Sequence, residues 1–96
     1  MRVAAQKKGN KMSEFEKLRF ELKRPLLVVK ASNGFLACGY INPETCNKTG
    51  EACAIVTGVD TYEDMYDSPI VAVSQKGLEL GIEIGESGES ALAKMS

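Results

Sequence analysis

The sequence predicts an α+β or mixed α/β fold, in which an antiparallel hairpin leads into a mixed sheet of about five strands packed with short helices. Three observations support this. An Asn-Gly pair separates two apolar runs, two short segments begin with helix-capping residues, and apolar runs alternate with such segments after the hairpin. With 96 residues, 44% apolar and 26% charged, the chain has the composition of one globular domain.

The first predicted elements are three strands. From Leu18 to Lys23, apolar and charged residues alternate, which predicts a half-buried strand with Leu18, Phe20 and Leu22 on its buried face. Asn33-Gly34 then lies between the apolar runs LLVVKA and FLACGYI. Because both residues tolerate a positive φ, the pair predicts an antiparallel hairpin closed by a type I′ turn.

Asn42-Pro43 marks the start of a short helix. Asparagine is a favoured N-cap and proline fits the first helical position, while Gly50 supplies a left-handed end. The segment from Ala52 to Val59 is apolar on both sides, which is typical of a central strand covered on both faces.

A second cap begins the next helix. Thr61 with Asp64 approximates a capping box, and Tyr62, Met65 and Tyr66 fall on one helical face that we expect to join the core. The remaining predicted elements are a strand at 70–74, a short helix at 75–80 closed by Gly81, and a last helix capped by Ser87 with Leu92 and Met95 facing inward.

The N-terminal residues differ from the rest of the chain. We expect residues 1–14 to form a flexible tail and residues 15–96 a single domain, with Met12 as an alternative translation start. The first eleven residues carry four basic groups and no acid, but lack the apolar stretch of about 7 to 15 residues of a secretory signal. No run approaches the roughly 18 apolar residues of a membrane span, so we expect a cytoplasmic protein without membrane contact.

Charge is distributed unevenly along the chain. Residues 1–43 hold nine basic and three acidic groups, whereas residues 44–96 hold three basic and ten acidic groups. This asymmetry indicates either a basic arm for nucleic acid or two faces that meet in an oligomer. No basic cluster is interleaved with aromatic residues, which disfavours nucleic acid and favours a homo-oligomer.

The cysteines exclude several kinds of chemistry. Cys38, Cys46 and Cys53 lack Cys-x-x-Cys spacing, and the sequence contains no histidine. A zinc site would need all three thiolates and an outside ligand, so we predict no metal and no cofactor. Without histidine, the commonest general base and the Cys-His pairing are both missing.

Cys38 and Asn42 are the candidate catalytic residues. Cys38 ends an apolar run, and alternation places it on the same face as Leu36 and Tyr40. One interpretation is a buried cysteine that acts as a small hydrophobic residue, and this is the favoured one. The other is a thiol activated by the helix that begins at Pro43, with Asn42 orienting a substrate carbonyl.

Gly39, Tyr40 and Thr61 are the candidate binding residues, with a small molecule as the conceivable ligand. Gly39 either admits a ligand or packs closely against the following helix, and we favour packing. Tyr40 follows it directly. Thr61 begins a helix whose N-terminus is a place for an anion, but Asp60 and two further acids around it disfavour phosphate.

Three segments resemble a known family. They are PLLVVKASNGFLACGYINPETCNKTG (25–50), AIVTGVDTYEDM (54–65) and LGIEIGESGESALAKM (80–95). Together they resemble the YunC-like family of small uncharacterised bacterial and archaeal proteins. The resemblance implies an α/β fold and a cytoplasmic setting but no activity. Where family members more often carry glutamate, this chain has Ser90, which leaves the last capping box incomplete.

The leading functional hypothesis is a homo-oligomeric binding or interaction module. It depends on the modest core of a short chain, the charge asymmetry and the missing catalytic pairs. Two alternatives remain open. One is a thiol-dependent enzyme with a site between subunits centred on Cys38, and the other is a nucleic-acid accessory protein.

Overall fold

The computed structural model describes residues 15–96, and the prediction of a flexible tail at 1–14 lies outside the described residues. Within them, five strands form one mixed sheet in the order β1-β2-β3-β4-β5, which confirms the α+β prediction. The elements are β1 (Glu16–Phe20), β2 (Leu26–Ala31), β3 (Gly34–Ala37), α1 (Pro43–Thr49), β4 (Cys53–Ile55), α2 (Tyr62–Asp67), β5 (Ala72–Val73), α3 (Gln75–Glu79) and α4 (Gly88–Lys94).

Strands β2 and β3 form the predicted antiparallel hairpin, but its turn differs from the prediction. Ala31 pairs with Gly34, so the two loop residues are Ser32 and Asn33, and neither Asn33 nor Gly34 has a positive φ. The type I′ assignment is therefore wrong. Gly34 is needed for a different reason: a Cβ there would lie 2.5 Å from Met95 Sδ and 2.7 Å from the Ala52 carbonyl oxygen. Close packing against the C-terminal helix, rather than turn geometry, requires the glycine.

Helix α1 connects two parallel strands, β3 and β4. The side chain of Asn42 accepts a hydrogen bond from the Glu44 N–H at 2.8 Å, Pro43 is the first helical residue, and Gly50 ends the helix at φ 78°. These three predictions are confirmed. Since β3 and β4 run in the same direction, their carboxyl ends meet at one edge of the sheet.

The two faces of the sheet are packed differently. On the face that we call the packed face, Leu27, Val29, Leu36 and Ala54 are fully buried beneath α2 and α4. The other face, which we call the open face, receives α1 over β3 and β4, where Cys46 packs in the same cluster as Cys53 and Ile55. The strand register places Leu18, Phe20 and Val28 on the open face as well.

The predicted buried face of β1 is wrong. Leu18, Phe20 and Leu22 were expected on a buried face, but all three are exposed, and the strand ends at Phe20. The charged residues are the ones that turn toward α2. Lys17 Nζ lies 5.6 Å from the centre of the Tyr62 ring, and Arg19 Nη1 donates to the Asp60 carbonyl oxygen at 2.9 Å. Period-two alternation fixes two faces but not which of them meets the core.

Helices α2 and α4 cover the packed face as predicted. Thr61 Oγ1 accepts from the Asp64 N–H at 3.0 Å, and Met65 is fully buried. The half-buried rings of Tyr62 and Tyr66 pack against the same core, which confirms the predicted apolar stripe. In α4, Leu92 and Met95 are fully buried, also as predicted.

Helix α4 begins with an N-cap but lacks the second hydrogen bond of a capping box. Ser87 Oγ accepts from the Ser90 N–H at 3.1 Å, as expected for an N-cap. The Ser90 hydroxyl, instead of reaching back to the Ser87 N–H, donates to Glu86 Oε1 at 2.5 Å. Lys94 Nζ completes the cluster at 3.0 Å from the same carboxylate oxygen. The loop before α4 is thus held to the helix by side chains.

None of the helices between residues 15 and 96 combines the length and the apolar character that crossing a bilayer requires.

Candidate functional site

A cavity of about 220 Å³ lies at the carboxyl ends of β3 and β4, and we call it the Cys38 cavity. It contains three of the five site residues that the sequence predicted, namely Cys38, Gly39 and Tyr40. Its full lining is Arg24, Pro25, Cys38, Gly39, Tyr40, Gly58 and Val59.

The topology explains why a cavity forms there. Cys38 follows the last residue of β3, and Gly58 and Val59 belong to the segment after β4. Because the two strands are parallel, the chain leaves the sheet twice at the same edge and diverges into α1 and α2. The crevice outside the carboxyl ends of parallel strands is the usual ligand position in open α/β sheets.

The Cys38 thiol forms the inner wall of this cavity. Cys38 continues the β2–β3 ladder by one residue: its N–H donates to the Leu27 carbonyl oxygen at 3.1 Å, and its Sγ accepts from the Leu27 N–H at 3.4 Å. The residue is 4% exposed and packs in the same cluster as Leu36, as alternation predicted, whereas Tyr40, predicted on the same face, is exposed and lies outside this cluster. The thiol is thus held in place, with its backbone groups satisfied.

Gly39 and Tyr40 form the outer wall. A Cβ on Gly39 would lie 3.3 Å from Thr57 Cγ2, in the segment after β4, so the predicted packing against α1 is wrong. The neighbour belongs to the other side of the crevice, and the missing side chain keeps that crevice narrow but open. Tyr40 is 52% exposed and presents its ring at the cavity mouth.

Arg24 is the cationic group of the lining. Its Nη2 lies 3.1 Å from Asp60 Oδ1, and both side chains are more than half exposed. An ion pair in this setting is worth little to stability, because solvent screens it and ordering two side chains opposes it. Asp60 is not among the lining residues, so the cavity combines one guanidinium with mostly apolar walls.

The two other predicted site residues act as helix caps. Asn42 Oδ1 is occupied by the Glu44 N–H, and Thr61 Oγ1 by the Asp64 N–H. Neither residue belongs to the cavity lining. Their polar groups serve α1 and α2, so the structure separates them from the cluster around Cys38.

Four lining residues were not predicted: Arg24, Pro25, Gly58 and Val59. Arg24 and Pro25 come from the loop between β1 and β2, which approaches Cys38 only because β2 and β3 are paired. Gly58 carried a local signal, since it ends an apolar run, and its φ of 70° in the structure is one that favours glycine. For the other residues no local pattern was available, because distant segments build the cavity.

The other two cysteines lie where α1 packs on the open face, Cys46 in the helix and Cys53 in β4. Cys46 and Cys53 are both buried and free. Burial, together with a hydrogen bond to Cys46 and the charge of Cys46, raises the pKa of the Cys53 thiol to about 12, while the Ser74 hydroxyl acts in the opposite direction. A thiol with this pKa stays protonated near neutral pH and is a poor nucleophile. In the described part of the chain, no three Cys, Asp or Glu side chains cluster as metal ligands would.

A second, larger cavity of about 360 Å³ lies at the opposite end of β3. The hairpin turn, the segment after α1 and helix α3 line it, and Lys30, Lys76 and Glu51 contribute its charges. None of the predicted site residues is among its lining residues, so the Cys38 cavity is the candidate site.

Comparison with protein-family models matches residues 37–95 to a domain of unknown function, DUF1805. The match spans more than half of the chain and includes Cys38, Gly39, Tyr40, Gly58 and Val59 of the cavity. The chain belongs to this family. Arg24 and Pro25 lie outside the matched residues, so the DUF1805 segment supplies most of the lining and the loop between β1 and β2 supplies the rest.

Two relatives confirm the predicted resemblance. The chain is 31% identical over 77 residues to the uncharacterised protein YunC of Bacillus subtilis, covering 76% of each chain. A crystal structure of a protein of unknown function, TA1206 from Thermoplasma acidophilum, superposes with a TM-score of 0.75 at 30% identity. That match covers 85% of this chain and 93% of the other. The relatives therefore establish family and fold, and neither description names an activity.

Proposed function

We propose that this DUF1805 protein is a cytoplasmic, homo-oligomeric binding module whose ligand site is the Cys38 cavity. The observation that carries the proposal is the position of the cavity at the carboxyl ends of two parallel strands, where open sheets bind ligands. Its walls are mostly apolar with one cationic group, the usual chemistry of a small-molecule pocket. Three free buried thiols are typical of a reducing compartment.

The size of the cavity limits the ligand. At about 220 Å³ it is smaller than the roughly 300 to 1,000 Å³ typical of sites for drug-sized molecules. A small ligand with an apolar body against Pro25 and Val59 fits this lining, with its polar end toward Arg24. A larger ligand would need a wall from a second subunit, which is one reason why the binding and oligomeric parts of the proposal belong together.

Fragment binding tests the ligand site. A library of small aromatic and aliphatic carboxylates is screened by ligand-observed NMR against the wild-type protein, and each hit is repeated with Tyr40→Ala and Arg24→Ala. We expect the hits to weaken in both variants. Leu78→Ala is the matched control, because Leu78 on α3 is 50% exposed and lies outside the lining. Hits that bind all variants equally, or an empty screen, would contradict the proposal.

A thiol-dependent enzyme is the second candidate, and the position of Cys38 in the cavity wall favours it over any role for Cys46 or Cys53. Against it, the thiol is almost fully buried and Asn42 is engaged as a helix cap. Labelling with 5,5′-dithiobis(2-nitrobenzoate) at neutral pH separates the two proposals. A binding module predicts slow labelling of Cys38 and an unchanged fold in Cys38→Ser. Labelling of Cys38 many times faster than that of an unfolded thiol would favour the enzyme.

A nucleic-acid accessory role has less support. Lys17 and Arg19, two basic residues of the described N-terminal half, are directed at Tyr62 and Glu21 of the same chain. Side chains engaged in this way have less to offer a phosphate backbone. Oligonucleotide binding that persists above about 200 mM salt would revive this alternative.

A further inference from the structure

Strand β1 turns its apolar side chains away from the core. Phe20 is 57% exposed and Leu18 is 43% exposed, although both lie within a paired strand. The neighbouring charged residues hold this orientation, since Arg19 donates to the Asp60 carbonyl oxygen and Lys17 lies over the Tyr62 ring. The strand is therefore oriented by contacts on the packed face, and its apolar side is presented to solvent.

These side chains belong to a larger surface on the open face, which we call the β1–β2 patch. The register pairs Leu18 with Val28 and, at the far end, Glu16 with Lys30, whereas Leu26, opposite Phe20, is half-buried against the cluster of the packed face. None of the described residues covers Leu18 or Phe20, because α1 packs over β3 and β4 instead. A contiguous apolar surface of this kind marks an interaction site.

We propose that a second copy of this chain covers the β1–β2 patch. The inference deepens the proposed function, since it rests on the homo-oligomer and names the surface through which copies meet. In a two-fold interface, residue i contacts residue j of the partner, and j contacts i. A two-fold axis along the strands, between β1 and β2, places β1 of one copy over β2 of the other.

The chemistry of the patch is self-complementary in this arrangement. Leu18 lies over the partner's Val28, and Phe20 lies over the end of the partner's β2. Glu16 lies over the partner's Lys30, so each copy contributes one acid and one base to matching positions. Opposite charges at matching positions favour this register. They disfavour a partner surface whose charges all have the same sign.

Edge-to-edge pairing of two β1 strands is the competing arrangement, and charge disfavours it. An antiparallel pairing centred on Leu18 would set Lys17 directly opposite the partner's Arg19. Like charges directly opposite each other destabilise a strand pair. The geometry therefore favours two sheets stacked face to face, about 10 Å apart, over one continuous sheet.

The test is the mass of the full chain by size-exclusion chromatography with multi-angle light scattering, over a dilution series. We expect a dimer for wild type, with the dissociation constant raised roughly thirtyfold or more in Phe20→Glu, because it sets a charge in the centre of the interface. Leu78→Glu is the control on α3 at similar exposure, and it should remain dimeric. Circular dichroism checks that each variant is folded.

A charge exchange tests the register independently of the apolar contact. Lys30→Glu alone should weaken the dimer by about tenfold, and the double variant Glu16→Lys with Lys30→Glu should restore it. A wild-type dimer that Phe20→Glu and Lys30→Glu both leave unchanged overturns this inference but leaves the homo-oligomer standing. A monomeric wild type overturns the inference and the oligomeric part of the proposed function together, whereas ligand binding at the Cys38 cavity is decided separately by the fragment screen.

Discussion

The two faces of the sheet are covered by helices to different degrees. Beneath α2 and α4, the packed face forms a continuous cluster in which Leu27, Leu36, Met65 and Leu92 are fully buried. On the open face, the buried cluster is confined to the region under α1, and the strands beyond it carry exposed apolar side chains. One face therefore behaves as the core of a domain, and the other as a surface that is complete only in part.

The difference shows how a short chain divides its apolar residues. A domain of this length has too little chain to cover both faces of a five-stranded sheet with four helices of five to seven residues. The helices cover one face fully, and the closest contacts are made there. Two of the exposed apolar residues, Leu18 and Phe20, lie on the edge strand β1, where a second copy is the proposed cover.

The largest expected effect concerns a glycine on the packed face. A Cβ on Gly88 would lie 2.0 Å from the Met65 carbonyl oxygen and 3.0 Å from Leu36 Cδ2. Backbone cannot yield as a side chain can, so we expect Gly88→Ala to lower the free energy of unfolding by on the order of 4 kcal/mol, measured by urea denaturation. Gly39→Ala, whose Cβ meets only Thr57 Cγ2 at 3.3 Å, should cost less than about 1 kcal/mol. Equal costs would show that the backbone contact at Gly88 is no tighter than the side-chain contact at Gly39.

The second prediction removes the same atoms from each face. Leu92→Ala opens a cavity in the buried cluster, and we expect it to cost about 3 kcal/mol of unfolding free energy. Leu18→Ala removes a side chain from the open face and should cost less than about 1 kcal/mol. Both are measured in the Phe20→Glu background, so that dimer dissociation does not contribute. A Leu18→Ala cost close to that of Leu92→Ala would mean that the open face is covered within the monomer.

The smallest expected effect appears only in alkali and concerns the buried part of the open face. Burial and Cys46 raise the pKa of Cys53 from 9.0 to about 12 in the folded protein. Between these values the unfolded chain loses the proton and the folded chain keeps it, so stability falls as pH rises through this window. We expect the stability difference between wild type and Cys53→Ala to be constant below about pH 9 and to change above it. A difference that stays constant up to about pH 11 would contradict the buried, protonated thiol.

Local chemistry made much of the fold predictable. Asn42, Pro43 and Gly50 define α1, and Thr61 with Asp64 defines the start of α2, because caps depend on neighbours a few residues away. Strand bounds were less accurate: the apolar run 52–59 contains only Cys53–Ile55 as paired strand. An apolar run indicates which residues are buried. Buried residues extend beyond those that form hydrogen bonds between the strands of the sheet.

The candidate site was predictable only in part. Cys38, Gly39 and Tyr40 were found because they are adjacent at a strand-to-helix corner, whereas Arg24 and Val59 reach them only through strand pairing. Asn42 and Thr61 were assigned to a site because capping residues and ligand-binding residues share the same chemistry. The sequence cannot tell which polar partner such a side chain will choose when a helix N–H is closer.

The sequence by itself therefore determined the elements, their caps and the family, since each depends on short stretches of chain. The tertiary structure decided which face of β1 meets the core, that β3 and β4 are parallel, and that a cavity forms where they end. Alternation is symmetric between two faces, and the contact of Phe15 with the buried core, together with those of Lys17 and Arg19 with the region around α2, breaks that symmetry. Contacts between residues far apart in the chain carry that information, and no local pattern contains it.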